Sequence, residues 1–285
     1  MNIRPRAAAV QALSGAGAGV TEADFVFALG GGKTFLLRQF APYPFHVARP
    51  HRLDAARPDL ATLYLQSASG GLYRGDRLGL AVETHPGAAA HVTSQAATVV
   101  HRSTGDRVRM TTRLVVHPQS LLALTTDPYV LFPGTALKVE TECVVHPGAR
   151  GLLAEGFAIH DPSGAAHPFA TLETASRIRK PDGQTLAEDR STFAGEDFDG
   201  SGGPLGGWRA LGSALILGGA IDPATLERRL DAIGVLGGAS PLPNDAGWGV
   251  RLLARDGGSL ARGLELAFAA GFEALAGCVP ARRRK

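Results

Sequence analysis

The chain has 285 residues, 45% hydrophobic and 19% charged, with a net charge of +3. That length buries a real core, in one large domain or two small ones, and the balanced charge argues against a nucleic-acid partner, which needs a large basic block. Gly 37 and Pro 18 exclude an ordinary helical protein and suit a turn-rich β protein, whose core small aliphatic side chains must fill because aromatics are only 6%.

Residues 1–20 read as a disordered lead. Arg4 and Arg6 precede an Ala-rich run that Gly15, Gly17 and Gly19 break, a poor match to a signal peptide. Residues 25–40 read as two short strands around Gly30-Gly31-Gly32. The following Lys33-Thr34 imitates a phosphate loop, but that loop needs a Gly where Phe27 stands, so a hairpin turn is the expectation. Pro42, Pro44, Pro50 and Pro58 mark an irregular connection.

From residue 63 to 175 the chain reads as strands and turns. His85-Pro86, His117-Pro118 and His146-Pro147 stand 32 and 29 residues apart, each after a strand-like run. Residues 107–116 alternate, with Val108, Met110, Thr112, Leu114 and Val116 on one face; residues 137–145 do the same. Period two with one apolar face is a half-buried strand. Superposed, the units give columns: Leu78, Met110, Val139; then Leu80, Thr112, Thr141; then Val82, Leu114, Cys143. Arg113 falls level with Glu142, an expected cross-strand ion pair. Strand–turn–strand units recurring near 30 residues bury their faces only when stacked. The expected fold is therefore mainly β, a β-helical or stacked-strand body over residues 21–200, with a β-sandwich as the alternative.

Residues 193–207, rich in Gly and Asp, read as a mobile loop. Residues 201–285 form a small α/β part carrying two helices packed on the body. Asp222 caps the first, Pro223 opens it and Gly237-Gly238 ends it; Ser259 caps the second, with Leu260, Leu264, Ala267, Phe268 and Phe272 on one side. Residues 281–285 are a basic tail, read as solvated. The most apolar stretch, 211–221, is too short and Gly-rich to span a bilayer. Cys143 and Cys278 give neither a disulfide framework nor zinc spacing, which suits a reducing cytosol. A cytoplasmic protein with no membrane partner is the expectation.

No nucleophile elbow, zinc-protease helix or dinucleotide fingerprint is present. Two features break the repeat. Asp76 takes the slot of Val108 and Leu137, which puts a carboxylate inward if the register extends so far. The other reading is that Arg74 or Arg77 neutralises it, or that it accepts backbone amides at the glycine turn. Ser94, Thr126 and Glu155 each lie two residues after an inward Val92, Leu124 or Leu153. They line a wet channel, or mark the strands' arrival at a rim. The three imidazoles of the His-Pro pairs would sit near the strand spacing of about 4.8 Å, a possible metal ladder, but turn residues facing water are the expectation. His160, Asp161 and His167 have no metal-like spacing.

Ser69-Gly70-Gly71-Leu72-Tyr73-Arg74-Gly75-Asp76 and Val92-Thr93-Ser94-Gln95-Ala96-Ala97-Thr98 resemble the urease accessory protein UreD (UreH) family, which carries Gly-Gly-x-x-Gly-Gly-Asp and then Thr-x-Gln-Ala-Ala-Thr. Gly32-Lys33-Thr34, Phe132-Pro133-Gly134, Leu152-Leu153 and Gly238-Ala239-Ser240 also match, in order, over residues 25–275. Arg74 for Gly, and Val99 and His101 for Lys and Tyr, mark a divergent member. The resemblance implies a non-enzymatic scaffold that binds apo-urease and UreF, reaches the nickel carrier UreG through UreF, and offers nickel a water-filled path. It holds no tight cofactor; nickel is in transit. Asp76, Glu155 and Asp189 fall on or near acidic family positions and become the candidate cation path, with Ser94 and Thr126 lining it. Oxygen ligands suit release better than a His/Cys cage. The alternative from another class is a β-helical carbohydrate-active enzyme working through acids such as Asp76 and Glu155.

Overall fold

A computed structural model describes residues 20–198, 200 and 202–283. The expected disordered lead lies outside these but for Val20, as do Asp199 and Ser201 of the expected loop and the last two tail residues.

Strands β1 (Thr21–Gly30) and β2 (Lys33–Phe40) pair antiparallel. Gly31 and Gly32 turn between them at φ +57° and +74°. Two successive left-handed residues make the two-residue hairpin turn that glycine favours, so the Gly-Lys-Thr segment is a hairpin and not a phosphate loop. Within the proline-rich connection lies β3 (Phe45–Val47). The body follows as β4 (Ala61–Ser67), β5 (Arg77–Thr84), β6 (Ala89–Ser94), β7 (Thr98–Val100), β8 (Val108–Val116), β9 (Leu121–Thr125), β10 (Tyr129–Leu131), β11 (Ala136–Val145) and β12 (Arg150–Ile159). It ends in β13 (Thr171–Arg179) and β14 (Thr185–Ala194). Beyond come β15 (Ala210–Leu217), α1 (Pro223–Asp231), β16 (Leu236–Pro241), β17 (Gly247–Ala254) and α2 (Gly257–Ala276).

The chain winds between two facing sheets. One runs β14-β13-β11-β8-β5-β1-β2, the other β16-β17-β15-β12-β9-β6-β4-β3. Each His-Pro turn carries it from the first sheet to the second: β5 to β6, β8 to β9, β11 to β12. Short strands β7 and β10 then lead it back, pairing parallel with each other and β10 with the end of β12. Successive coils pair in parallel, which is the stacked-strand body expected and not a sandwich of hairpins. The register reproduces all three columns: Leu78–Met110–Val139, Leu80–Thr112–Thr141 and Val82–Leu114–Cys143. Burial pushes the Cys143 thiol up to about 12, leaving it inert.

Two apolar layers result. Inward residues of both sheets form the first, with Phe25, Phe27, Leu63, Leu114 and Leu137 fully buried. The second lies between the outer face of the second sheet and the helices, where Leu121, Leu152 and Ile216 meet Leu260, Phe268 and Phe272. β15 pairs antiparallel with β12, so the C-terminal strands continue the second sheet.

Several local expectations are corrected. Glu142 is level with Arg113, but Arg113 pairs with Glu22, and Arg179 reaches Glu142 at 2.9 Å. Asp222 caps α1 as expected, through Ala224 and Thr225 backbone N–H groups. That helix stops at Asp231, and Gly237-Gly238 belong to β16. Asp256, not Ser259, caps α2: it accepts from the Ser259 backbone N–H at 2.7 Å. Cap positions shift because a second side-chain acceptor lay three residues upstream, outside the apolar period. In the expected loop, Phe193 still lies within β14 and Phe198 is buried against it and Phe169. The basic tail is not wholly solvated, since Arg283 makes a buried ion pair with Asp54 at 2.8 Å.

Candidate functional site

Between the two sheets runs a cavity of about 660 Å³. At one end it is lined by exposed residues including Ser67, Gly70 and Gln95, and so opens to solvent there. The glycine-rich and Gln-Ala-Ala segments noted in the sequence form this mouth. Gln95 also accepts a hydrogen bond from Gln66, which His46 meets at 2.5 Å, so the rim is itself hydrogen-bonded.

Alternation fixes the walls. Residues two apart on a strand share a face, so Ser94, Thr126 and Glu155 follow Val92, Leu124 and Leu153 inward. All three line the cavity. Ser94 donates to the Asp127 carboxylate at 2.8 Å and accepts from the Asp127 backbone N–H at 2.7 Å. Glu155 stands directly across from Ser213 on β15, and Ser213 across from Arg251 on β17. The facing sheet answers with another polar row: Thr112, Thr141 and Ser176 in register, then Asp189 opposite Ser176. The two rows meet where Arg251 pairs with Asp189 at 2.6 Å.

Glu155 has the most perturbed carboxyl of the site. Burial raises it to about 7, Arg251 opposes that rise, Asp189 adds to it, and a Ser213 hydrogen bond opposes it. Its titration therefore falls near neutral pH rather than in the usual carboxylate range. Tyr129, also on the wall, is raised by burial and then by Glu155.

Asp76 is placed elsewhere. The backbone register does extend toward it, the Arg109 N–H donating to its carbonyl at 2.9 Å. Its half-buried carboxylate instead accepts from the Tyr73 backbone N–H at 2.8 Å, closing the turn before β5. It is absent from the cavity wall, so the inward-carboxylate reading is replaced by the turn-capping one. Asp189 lines a second, neighbouring cavity of about 180 Å³, with Ser176 and Leu215 bordering both. The structure thus unites Ser94, Thr126 and Glu155, connects Asp189 to them, and separates Asp76. The acids named for a carbohydrate enzyme are not brought together.

The His-Pro imidazoles do stack: His117 and His146 rings are 4.5 Å apart, and His85 meets His117 edge-on at 6.0 Å. His117 hydrogen-bonds Glu83 at 2.9 Å and holds that carboxyl below its ordinary range. Among the described residues, no three His, Cys, Asp or Glu side chains form a metal-holding group. His167 pairs with Asp161 at 2.9 Å in an exposed loop away from the cavity.

The UreD urease accessory protein family profile matches residues 19–285. The chain belongs to the UreD family of urease accessory proteins. It is similar to urease accessory protein UreD 1 of Methylorubrum populi, 49% identical over 93% of this chain and 91% of that one. UreD 3 of a Bradyrhizobium species is 44% identical over 90% and 91%, and UreD 1 of Pseudomonas syringae pv. syringae 35% over 89% and 91%. These relatives are named as accessory proteins, and the UreD family places this chain in urease maturation. Among the described residues no helix is long and apolar enough to cross a membrane.

Missing from the sequence reading were Arg251, Ser213, Ser176, Asp127 and Tyr129. Thr112 and Thr141 share a column with Leu80, and their polarity was the available signal for the second wall.

Proposed function

We propose that this UreD protein is a cytoplasmic maturation scaffold that binds apo-urease and UreF, meets UreG through UreF, and gives nickel an internal route toward the urease site. The observation that carries this reading is the cavity between the sheets, whose mostly apolar wall is crossed by two polar rows and carries the Glu155 carboxyl. A hydrated divalent ion needs oxygen partners along its way and no deep trap. Ser94, Thr126, Thr112, Thr141 and Ser213 supply neutral oxygens, and Glu155 supplies one carboxylate of shifting charge. The chain acts here as a conduit, and nickel is its cargo.

Co-expression with the cognate urease and its accessory partners tests this. The chain should co-purify with them, and its deletion should abolish nickel loading. Glu155→Ala should keep the complex and lower urease nickel content by a factor on the order of ten, as expected for losing one charge that screens a cation. Asp76→Ala, off the cavity wall, should load normally. Full loading in Glu155→Ala, measured by metal analysis of purified urease, would refute the route.

A further inference from the structure

We propose that the Arg251–Asp189 ion pair is the gate of this conduit, a latch between the two sheets whose paired charges set whether a cation can leave. The inference rests on the conduit reading above and adds the residue that controls it.

Four observations converge. The smaller cavity of about 180 Å³ abuts the larger one, with Ser176 and Leu215 bordering both. Arg251 and Asp189 both line that smaller cavity. They come from opposite sheets, Arg251 from β17 and Asp189 from β14, each at the end of its own polar row. Finally, the side chains are 53% and 39% exposed, so the junction lies between the interior and solvent.

Charge explains why such a latch is needed and why it yields. A lone guanidinium in a cation route repels every ion that approaches. Held against Asp189, its charge is compensated and the barrier falls. Half-exposed ion pairs are weak, so Arg251 can swing outward as an ion passes, and Asp189 serves to compensate its charge while it stays in the route. The long flexible arm of arginine allows that motion within the cavity. Glu188 also borders the smaller cavity, but its carboxylate is already paired with Arg177 at 2.9 Å and Arg190 at 2.5 Å. Arg251 is thus a positioning residue for transit. It holds no metal.

The charge balance makes a sharp test, using the full chain co-expressed with urease and its partners and nickel(II) as the probe. Asp189→Asn strands the guanidinium and should lower urease nickel content about tenfold with the complex intact. Adding Arg251→Gln removes the stranded charge and should restore loading to within about twofold of wild type. A merely structural pair would give the opposite result, with the double variant as poor as the single one or worse. That result, or full loading in Asp189→Asn alone, overturns the gate. Thr126→Trp, which fills the larger cavity above the gate, separates the two levels. If it leaves loading unchanged, the conduit itself fails; if it blocks loading while the Asp189 and Arg251 variants load normally, only the gate fails.

Discussion

At Glu155 the fold places a carboxyl where burial outweighs its helpers. Arg251 and Ser213 both favour the ionised form, yet the group rises from an ordinary 4.5 to about 7. The consequence for stability has a definite sign. Between these values the native state binds more protons than the unfolded chain, so stability falls as pH rises. The penalty is absent below about 4.5 and complete above about 7, amounting to roughly 3 kcal/mol on the scale of 1.36 kcal/mol per unit. Glu155→Gln should therefore be more stable than wild type at pH 8 by about that amount, with the gap closing by pH 4.5. Urea unfolding at both pH values checks it, and a gap that is the same at both would rule out the titration. The sequence showed Glu155 because it broke an apolar column, and that signal survives folding. Asp76 broke the same pattern but lies one residue before β5 begins, where the chain is still turning and alternation no longer fixes direction. Arg251 gave no signal at all. An arginine alternating with Val250 and Leu252 reads as a solvent residue, because nothing in one strand reveals that its polar side faces a second sheet.

The element that repeats is the coil corner. Three His-Pro turns stack on one another, with backbone bonds from His117 to Thr84 and from His146 to Val116 joining successive coils. The residue after Pro sits left-handed in each, at φ +75° for Gly87, +61° for Gln119 and +72° for Gly148. Glycine takes that conformation freely, and an L side chain pays about 1 kcal/mol or more. Gln119 thus carries strain its two counterparts lack. Gln119→Gly should raise stability, by about 1 kcal/mol less the added unfolded-state entropy of glycine. A thermal melt showing a lower midpoint would contradict this. The repeat was legible because turn chemistry and strand period recur together, and the columns they defined are the register observed. Helix ends were harder to place. Gly237 and Gly238 look like a stop signal, but α1 has already ended at Asp231 and Gly237 serves close packing, a Cβ there falling 2.6 Å from Leu230 Cδ1.

For the molecule as a whole, the second sheet is the shared wall of both layers. Its inner face lines the cavity and its outer face carries the helices, so anything that loosens α2 loosens the cavity's wall. One clasp ties this arrangement to the end of the described chain. Arg283 reaches both carboxylate oxygens of Asp54, at 3.0 and 2.8 Å, and Asp54 also accepts from the Ala281 backbone N–H at 2.7 Å. The Arg283 Nε–H donates to His91 Nδ1 at 3.0 Å, which leaves His91 Nε2–H to donate to Thr125 at 2.7 Å. His91 in turn stacks on Phe268 of α2 at 4.7 Å. Asp54, β6 and α2 are thereby joined through a guanidinium that is only 8% exposed. A buried charge that loses its partner is costly, about 3–5 kcal/mol. Asp54→Ala should therefore unfold at markedly lower denaturant, while Asp54→Ala combined with Arg283→Met should recover most of the loss, since two neutral groups leave no orphan charge. The order of the two variants is the diagnostic. If the double variant is the less stable, the clasp contributes by packing and the ion pair is incidental; if it is the more stable, the paired charges hold the tail, and through it α2, against the wall of the cavity.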